Sequence, residues 1–441
     1  MRWKASLTAV SLLALGASAC ADDHASDLHA SVVQHYDEHL GELFRHFHAN
    51  PELSFQERET AARLATELRD LGYEVTEKFG GTGVVALLEN GAGPTVMIRA
   101  DMDGLPVPEQ SGLDYASTAT QKDIDGIVKP VMHACGHDMH MTTLVGAGKQ
   151  LMDRRDDWSG TLILIGQPAE ERVGGARAML EDGLYTKFPK PDYALGFHVW
   201  SGFPGGLIHV PEENAFSSAD SVDITVYGVG GHGAMPHTTV DPVLIASQIV
   251  VSIQTIVSRS IAPKKPGVIT VGSIHGGTKH NIIGEEVHLQ LTVRANDPET
   301  RTALLDGIDR IARGAGEMFG APEDKMPKVV RSPTETTPPT NNDPATALLV
   351  QAAIVEAMGE EALVPNGRID GMGAEDFAYF VEPELGVKGV NFRVGGAFPE
   401  DIDSPTSHHA PGFRIDPEAS VIQGTEATVV SALALFEEGA K

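Results

Sequence analysis

Apolar residues at Ala61, Leu64, Ala65 and Leu68 fall at helical spacing, so Leu40 to Leu71 is predicted as one helix, stopped by Gly72. The period then changes. Val84–Glu89 and Thr95–Arg99 are short apolar, β-branched runs that predict strands; Met141–Met152 predicts a helix; Thr161–Ile165 and Tyr193–Val199 predict buried strands. Such alternation predicts an α/β domain with a central sheet flanked by helices. From Ser221 the order becomes strand (Ser221–Tyr227), helix (Val243–Ser258), strand (Val268–Ile274), strand (Glu286–Ala295), helix (Pro298–Gly314), strand (Lys328–Arg331). That is the ferredoxin-like, split βαβ order of an α+β domain. A Pro- and Thr-rich stretch, Ser332–Pro344, reads as linker, after which helical Ala345–Met358 and Gly-rich Gly371–Glu375 resume the first domain. The predicted organisation is a first domain in two parts, 25–218 and 334–441, with a second domain inserted at 219–333. Two linkers between them predict a hinge, with a cleft between the domains.

The length of 441 residues agrees with two folded domains. The formal net charge of −28, without a basic run, argues against nucleic acid as a partner, because phosphate neutralisation needs clustered Lys and Arg. Arg2 and Lys4 precede an apolar stretch from Leu7 to Ala17, so residues 1–20 read as an export signal too short to span a bilayer. Its end, Ala17-Ser18-Ala19-Cys20, fits small-residue cleavage and also resembles a bacterial lipobox, although leucine is usual where Ala17 stands. The expected location is outside the cytoplasm, periplasmic or anchored as a lipoprotein through a lipid on Cys20. No P-loop is present.

The chemistry concentrates in Val131-Met132-His133-Ala134-Cys135-Gly136-His137-Asp138-Met139-His140, followed some thirty residues on by Gln167-Pro168-Ala169-Glu170-Glu171. Cys and His suit zinc, and adjacent carboxylates can supply both a metal ligand and a general base. Asp101 and Asp103, Glu170 and Glu171, and His198 all fall at predicted strand ends, where ligands of open α/β sheets collect. Taken singly, each has a blander reading as a loop charge or cap, and Cys135 as a small buried hydrophobe. Of the only two cysteines, Cys20 sits at the processing site and Cys135 in the histidine cluster, so a mutual disulfide is not expected. The scattered His24, His29, His35, His39, His46 and His48 read as a solvated helix face rather than a metal tract. The stripe Ile249, Val250, Ile253, Ile256 and Val257 reads as core with a dimer contact along one side.

With these motifs in view, the chain resembles the M20 family of metallopeptidases, in the amidohydrolase branch of aminoacylases, hippurate hydrolases and auxin-conjugate hydrolases. The resemblance covers nearly everything after residue 40. It rests on His48-Ala49-Asn50-Pro51-Glu52-Leu53-Ser54, Arg99-Ala100-Asp101-Met102-Asp103, His133-Ala134-Cys135-Gly136-His137-Asp138, Pro168-Ala169-Glu170-Glu171, Gly230-Gly231-His232-Gly233-Ala234 and Glu375-Asp376-Phe377. It implies that the first domain is catalytic and that the inserted ferredoxin-like domain is a lid and dimerisation domain, giving a homodimer. It implies two divalent metal ions held by Cys135, His137, Glu171, His198 and His409, the last from His409-Ala410-Pro411, with neighbouring His408 as the rival choice. Zinc is favoured by the cysteine, while manganese, cobalt or nickel also suit the set.

By the same resemblance Glu170 is the general base, Asp103 the carboxylate that orients a ligand imidazole, and His232 the donor to the oxyanion, supplied across the dimer interface. Asn281 and Arg294 are expected to contact the substrate, with a sheet-edge charge as the competing reading of Arg294. Two departures touch that side: Asn281-Ile282-Ile283-Gly284 where relatives read Asn-Val-Ile-Pro, and Leu291-Thr292-Val293-Arg294 where they read Gly-Thr-Val-Arg. The implied activity is hydrolysis of N-acyl amino acids. An exported dipeptidase or carboxypeptidase, a cysteine hydrolase using Cys135, and a non-catalytic metal- or ligand-binding lipoprotein are the alternatives.

Overall fold

The computed structural model describes residues 27–364 and 371–441. The export signal, the lipobox with Cys20, and His24 lie outside the described residues.

Seven strands form the larger sheet, in the spatial order Glu74–Phe79, Gly83–Asn90, Gly160–Gln167, Thr95–Asp101, Tyr193–Pro204, Lys388–Ala397 and Ile208–His209. The four from Gly160–Gln167 to Lys388–Ala397 are mutually parallel, and the outer pairings are antiparallel. Both faces are buried, which is why these strands read as continuous apolar runs. Val96, Ile98, Leu162 and Leu164 point into one core, shared with the helices His137–Asp153 and Pro417–Gly439. Their neighbours Met97, Ile163 and Ile165 point into the opposite core, with Ala176, Met179, Phe377 and Phe380. The parallel strands therefore present their carboxyl ends together at one edge, and the candidate site side chains gather there.

The smaller sheet has four antiparallel strands in the order Gly267–Gly276, Glu286–Ala295, Ala219–Tyr227, Lys328–Thr337. In chain order this is second, third, first, fourth, the ferredoxin-like arrangement. Burial alternates along Glu286–Ala295, so only one face is covered: Val222, Ile224, Leu289 and Leu291 pack on the helices Pro242–Thr255 and Pro298–Met318.

Three readings of the sequence are corrected. Leu40–Leu71 is not one helix: helical structure ends at Ala49 and resumes at Arg58–Asp70, because Pro51 cannot donate to a helical ladder and disfavours helical backbone at Asn50. Part of the presumed linker is strand, since Lys328–Thr337 pairs with Ala219–Tyr227 as far as Thr337. It is an edge strand, where Pro333 is tolerated and β-branched Thr336 and Thr337 fit the pleat. His48 does not belong to a solvated face; it is buried, with Nδ1 2.6 Å from Asp138 Oδ2 and Nε2 2.9 Å from Glu109 Oε1.

Candidate metal centre

Cys135 and His137 flank Gly136, whose backbone is left-handed (φ +85°). A Cβ there would lie 2.3 Å from Val199 Cγ1, so only glycine permits this turn at the start of helix His137–Asp153. The turn lets the thiol and the imidazole converge on one space. Cys135 Sγ is 3.4 Å from His198 Nε2, and one ligand atom from each of Cys135, His137 and His198 lies within 4.8 Å of the others. His198 Nδ1 donates to the Val199 carbonyl at 2.7 Å, which leaves the Nε2 lone pair facing the cluster.

Glu170 and Glu171 enter from a second strained turn. Ala169 (φ +50°) and Val173 (φ +47°) are left-handed without being glycine, and for β-branched Val173 this is a marked departure. Three backbone donors hold the turn: Ala169 N–H donates to Glu57 Oε1 at 2.8 Å, Glu170 N–H to Asp103 Oδ1 at 3.0 Å, and Glu171 N–H to Asp103 Oδ2 at 3.1 Å. Ser54 adds a hydroxyl to Asp103 Oδ2 at 2.6 Å, and Asp103 Oδ1 lies 3.4 Å from His137 Nδ1. One carboxylate thus ties the turn bearing both glutamates to a cluster imidazole. Glu171 Oε1 is 3.9 Å from His137 Nε2 and 3.3 Å from His409 Nε2, and Glu170 Oε2 is 4.0 Å from His137 Nε2.

The two adjacent histidines separate cleanly. His408 is stacked on Trp200 at 5.0 Å between ring centroids, its Nε2 donates to the Val199 carbonyl at 3.1 Å, and burial pushes its pKa down to about 3. His409, with a left-handed backbone (φ +64°), turns its ring toward Glu171 and joins Cys135 and Glu171 as a second donor group.

Behind these residues lies a buried charge network that sequence reasoning did not assign. Arg99, fully enclosed, donates to Asp101 at 2.7 Å, Glu375 at 2.7 Å, Asp376 at 3.2 Å and Gln167 at 2.8 Å. His140 accepts the Val199 N–H on Nε2 at 2.8 Å, so its Nδ1 carries the proton donated to Asp101 at 2.6 Å. His140 stands three residues after His137 on the same helix, a spacing that places both on one face and could have marked it. Glu57, distant in sequence from every motif residue it serves, carried no such signal.

Carboxylates outnumber cations here, and the titrations follow. Burial alone would lower the pKa of His137, but Asp101 and Asp103 outweigh it and raise it to about 10. Burial, then Glu171 and Glu170, push the Cys135 thiol well above its usual range. A thiol so held is a poor nucleophile, which speaks against the cysteine-hydrolase alternative. Burial, then Glu375 and Glu171, push Glu170 well above the usual carboxylate range. Among the described residues, the buried His137 Nδ1 and Nε2 and Glu171 Oε1 have no hydrogen-bond partner. Unsatisfied donors of sulfur, nitrogen and carboxylate type, crowded in a negative field, fit divalent cations, whose binding displaces the thiol and imidazolium protons.

The cluster opens into a 680 Å³ cleft between the two sheets, lined by Cys135, Glu170, Glu171, His198 and His409 on one side and by Asp220, Thr292 and Arg294 on the other. Arg294 is on an inner strand of the smaller sheet, not at an edge, so the edge-charge reading is set aside. His232 and Asn281 are brought to each other but not to the cleft. Both are exposed, His232 on a two-stranded ribbon and Asn281 in the turn beside it, where Gly233 N–H donates to the Asn281 carbonyl at 2.9 Å, and neither lines the cleft.

The sequence model described as Peptidase family M20/M25/M40 matches residues 97–430. A hippurate hydrolase of Campylobacter jejuni is 39% identical over 77% of this chain and 85% of that protein. Thermostable carboxypeptidase 2 of Saccharolobus solfataricus is 37% identical over 80% of this chain and 86% of that protein. Among solved structures, the Bacillus subtilis YXEP protein, described as a dinuclear metal binding peptidase from the M20 family, is similar with a TM-score of 0.75 and 28% identity. That likeness covers 92% of this chain and 99% of the other.

Proposed function

Because this chain belongs to peptidase family M20/M25/M40, and is with it a hydrolase of amide bonds, we propose that its substrates are N-acyl amino acids, cleaved to an amino acid and a carboxylic acid. The observation that carries the reading is the juxtaposition of Glu170 with the Cys135, His137, Glu171, His198 and His409 donors at the floor of the cleft. A binding protein has no need of a second carboxylate beside the ligand one.

Two divalent ions held by those five donors, zinc first and manganese, cobalt or nickel as substitutes, would polarise the amide carbonyl and make water acidic enough to lose a proton near neutral pH. Glu170 takes that proton and returns it to the leaving nitrogen. Asp103 keeps the glutamate turn and His137 in register. Arg294, across the cleft, takes the α-carboxylate of the amino acid. His232 receives the Ala234 N–H on Nδ1 at 3.0 Å, so its Nε2 carries the proton and is the donor we assign to the developing oxyanion. Since His232 and Asn281 stand outside this cleft, we assign them to the cleft of a second copy in a homodimer formed through the inserted domain. Export, with or without a lipid on Cys20, remains our reading of residues 1–20.

The carboxypeptidase among the relatives favours a second reading, cleavage of short peptides at the same site. Amine release by metal-replete protein from a panel of N-acyl amino acids and dipeptides, beside a chelator-stripped control, separates the two. Chelator-sensitive cleavage of N-acyl amino acids is the expected result. Preferential cleavage of dipeptides would make it a peptidase, and turnover that survives stripping would end the two-metal reading.

A further inference from the structure

Among the described residues, Arg393 is buried without a carboxylate in ion-pair contact. It stands on strand Lys388–Ala397, in register with His198 on one side and His209 on the other, so the three side chains share a face of the sheet. It is 5% exposed, and burial pushes its pKa down to about 10. Its guanidinium lies 4.3 Å from the centroid of Phe216 and 5.6 Å from that of Trp200. One nitrogen, Nη2, donates to the Ala215 carbonyl, and Nε has no partner. Glu375, the carboxylate that acts on it through space, is already bound to Arg99. A guanidinium has five N–H donors in a planar fork, and burying one beside a single carbonyl is costly unless something else meets it.

The position of that fork gives it a use. Arg393 lines a 450 Å³ cavity with Asn214, Ser217 and Asn296, and this cavity shares Trp200, Phe216 and Gly373 with the catalytic cleft. Phe216 is the dividing wall: its ring centroid is 5.8 Å from that of His198 on one side, and the guanidinium covers it on the other. Glu212 and Glu213 also line the cavity and both are exposed, so negative charge is at the mouth and positive charge in the depth. We propose that Arg393 is a specificity-determining residue that receives a second carboxylate of the substrate, so that the preferred N-acyl amino acid is acidic in its acyl group or its side chain. The inference rests on the amidohydrolase reading above. Carboxylate and guanidinium meet fork to fork, a geometry that lysine cannot copy and a neutral group cannot match.

The test uses metal-replete protein and matched pairs: N-succinyl-L-leucine against N-butyryl-L-leucine for the acyl side, N-acetyl-L-glutamate against N-acetyl-L-glutamine for the amino-acid side. The expected result is a preference in kcat/KM of about tenfold or more for the acidic member of one pair, which also says which end enters the cavity. Arg393→Met is expected to abolish that preference while sparing the neutral substrate, and Arg393→Lys to keep part of it. Calorimetry with glutarate, against butyrate as the one-carboxylate control, reads the same site without turnover, in the wild type and in Arg393→Met. Equal kcat/KM within both pairs, or glutarate binding no tighter than butyrate, overturns the proposal. So does an Arg393→Met that loses acidic and neutral substrates alike. Tighter, Arg393-dependent glutarate binding by a protein that cleaves nothing in the panel would support the subsite and overturn the amidohydrolase reading instead.

Discussion

Glu170 and Glu171 are consecutive, yet we assign them different tasks, and the left-handed Ala169 that precedes them is what would let them diverge. Its strain is held by Glu57 and Asp103 through three backbone donors, so the divergence of the two carboxylates is fixed before substrate arrives. Glu170→Gln keeps the shape and removes the proton acceptor. It should lower kcat by about 10²- to 10⁴-fold with metal content and Tm unchanged; full turnover in steady-state assays would remove Glu170 from the base role. A second residue-scale prediction concerns His48. Burial would lower its pKa, but hydrogen bonds to Asp138 and Glu109 outweigh that and raise it to about 9. A raised histidine contributes stability in full below its unfolded value and loses it as pH rises through the folded one. The contribution, on the order of 3 kcal/mol, should therefore fade between about pH 6.5 and 9. Thermal melts of the wild type and His48→Gln should differ most below this window and converge above it; parallel curves would refute the ion-pair account.

At the scale of elements, local chemistry decides where helices begin. Asp241, Asp297, Asp343 and Asp416 each precede a proline, and each carboxylate accepts a backbone N–H of the first helical turn. The helix that carries His137 begins differently, with no side-chain cap and with left-handed Gly136, so its start serves the cluster rather than the helix. Gly136→Ala combines an unfavourable backbone with a contact of 2.3 Å to Val199. It should cost ~2 kcal/mol or more and, by displacing Cys135 and His137, lower the metal bound per chain, readable by elemental analysis beside a thermal melt. Unchanged metal content would mean that the turn is not what aligns the two donors. The helix Pro242–Thr255 shows how one stripe is divided: Ile245, Ile249 and Ile253 are buried against the smaller sheet, while Val243, Leu244 and Val251 are 45%, 50% and 67% exposed.

For the whole molecule, that exposed row and the exposed His232 have one consequence if two copies share sites. Leu244→Glu with Val251→Glu should convert a dimer to a monomer by light scattering and cut kcat to the level of His232→Ala, about 10²-fold or more below wild type. A wild type that is fully active as a monomer would refute the shared site. What the linear chain determined is the part governed by local spacing and residue type. The His133-to-His140 cluster, the Glu170-Glu171 pair, the alternation of the α/β domain and the strand-helix order of the insertion were all legible, because periodicity and donor chemistry are properties of short segments. Tertiary structure decided the rest. The choice between His408 and His409 depends on which ring finds Trp200 and which finds Glu171. The strand Lys388–Ala397 went unread because both of its faces are buried and its polar Asn391 and Arg393 broke the apolar pattern. Arg99 meets Glu375 and Asp376, and Glu57 meets Ala169, only after the chain has closed over some 276 and 112 residues respectively. Such contacts are set by how sheets and helices pack, and no window of sequence short enough to show a period contains both partners.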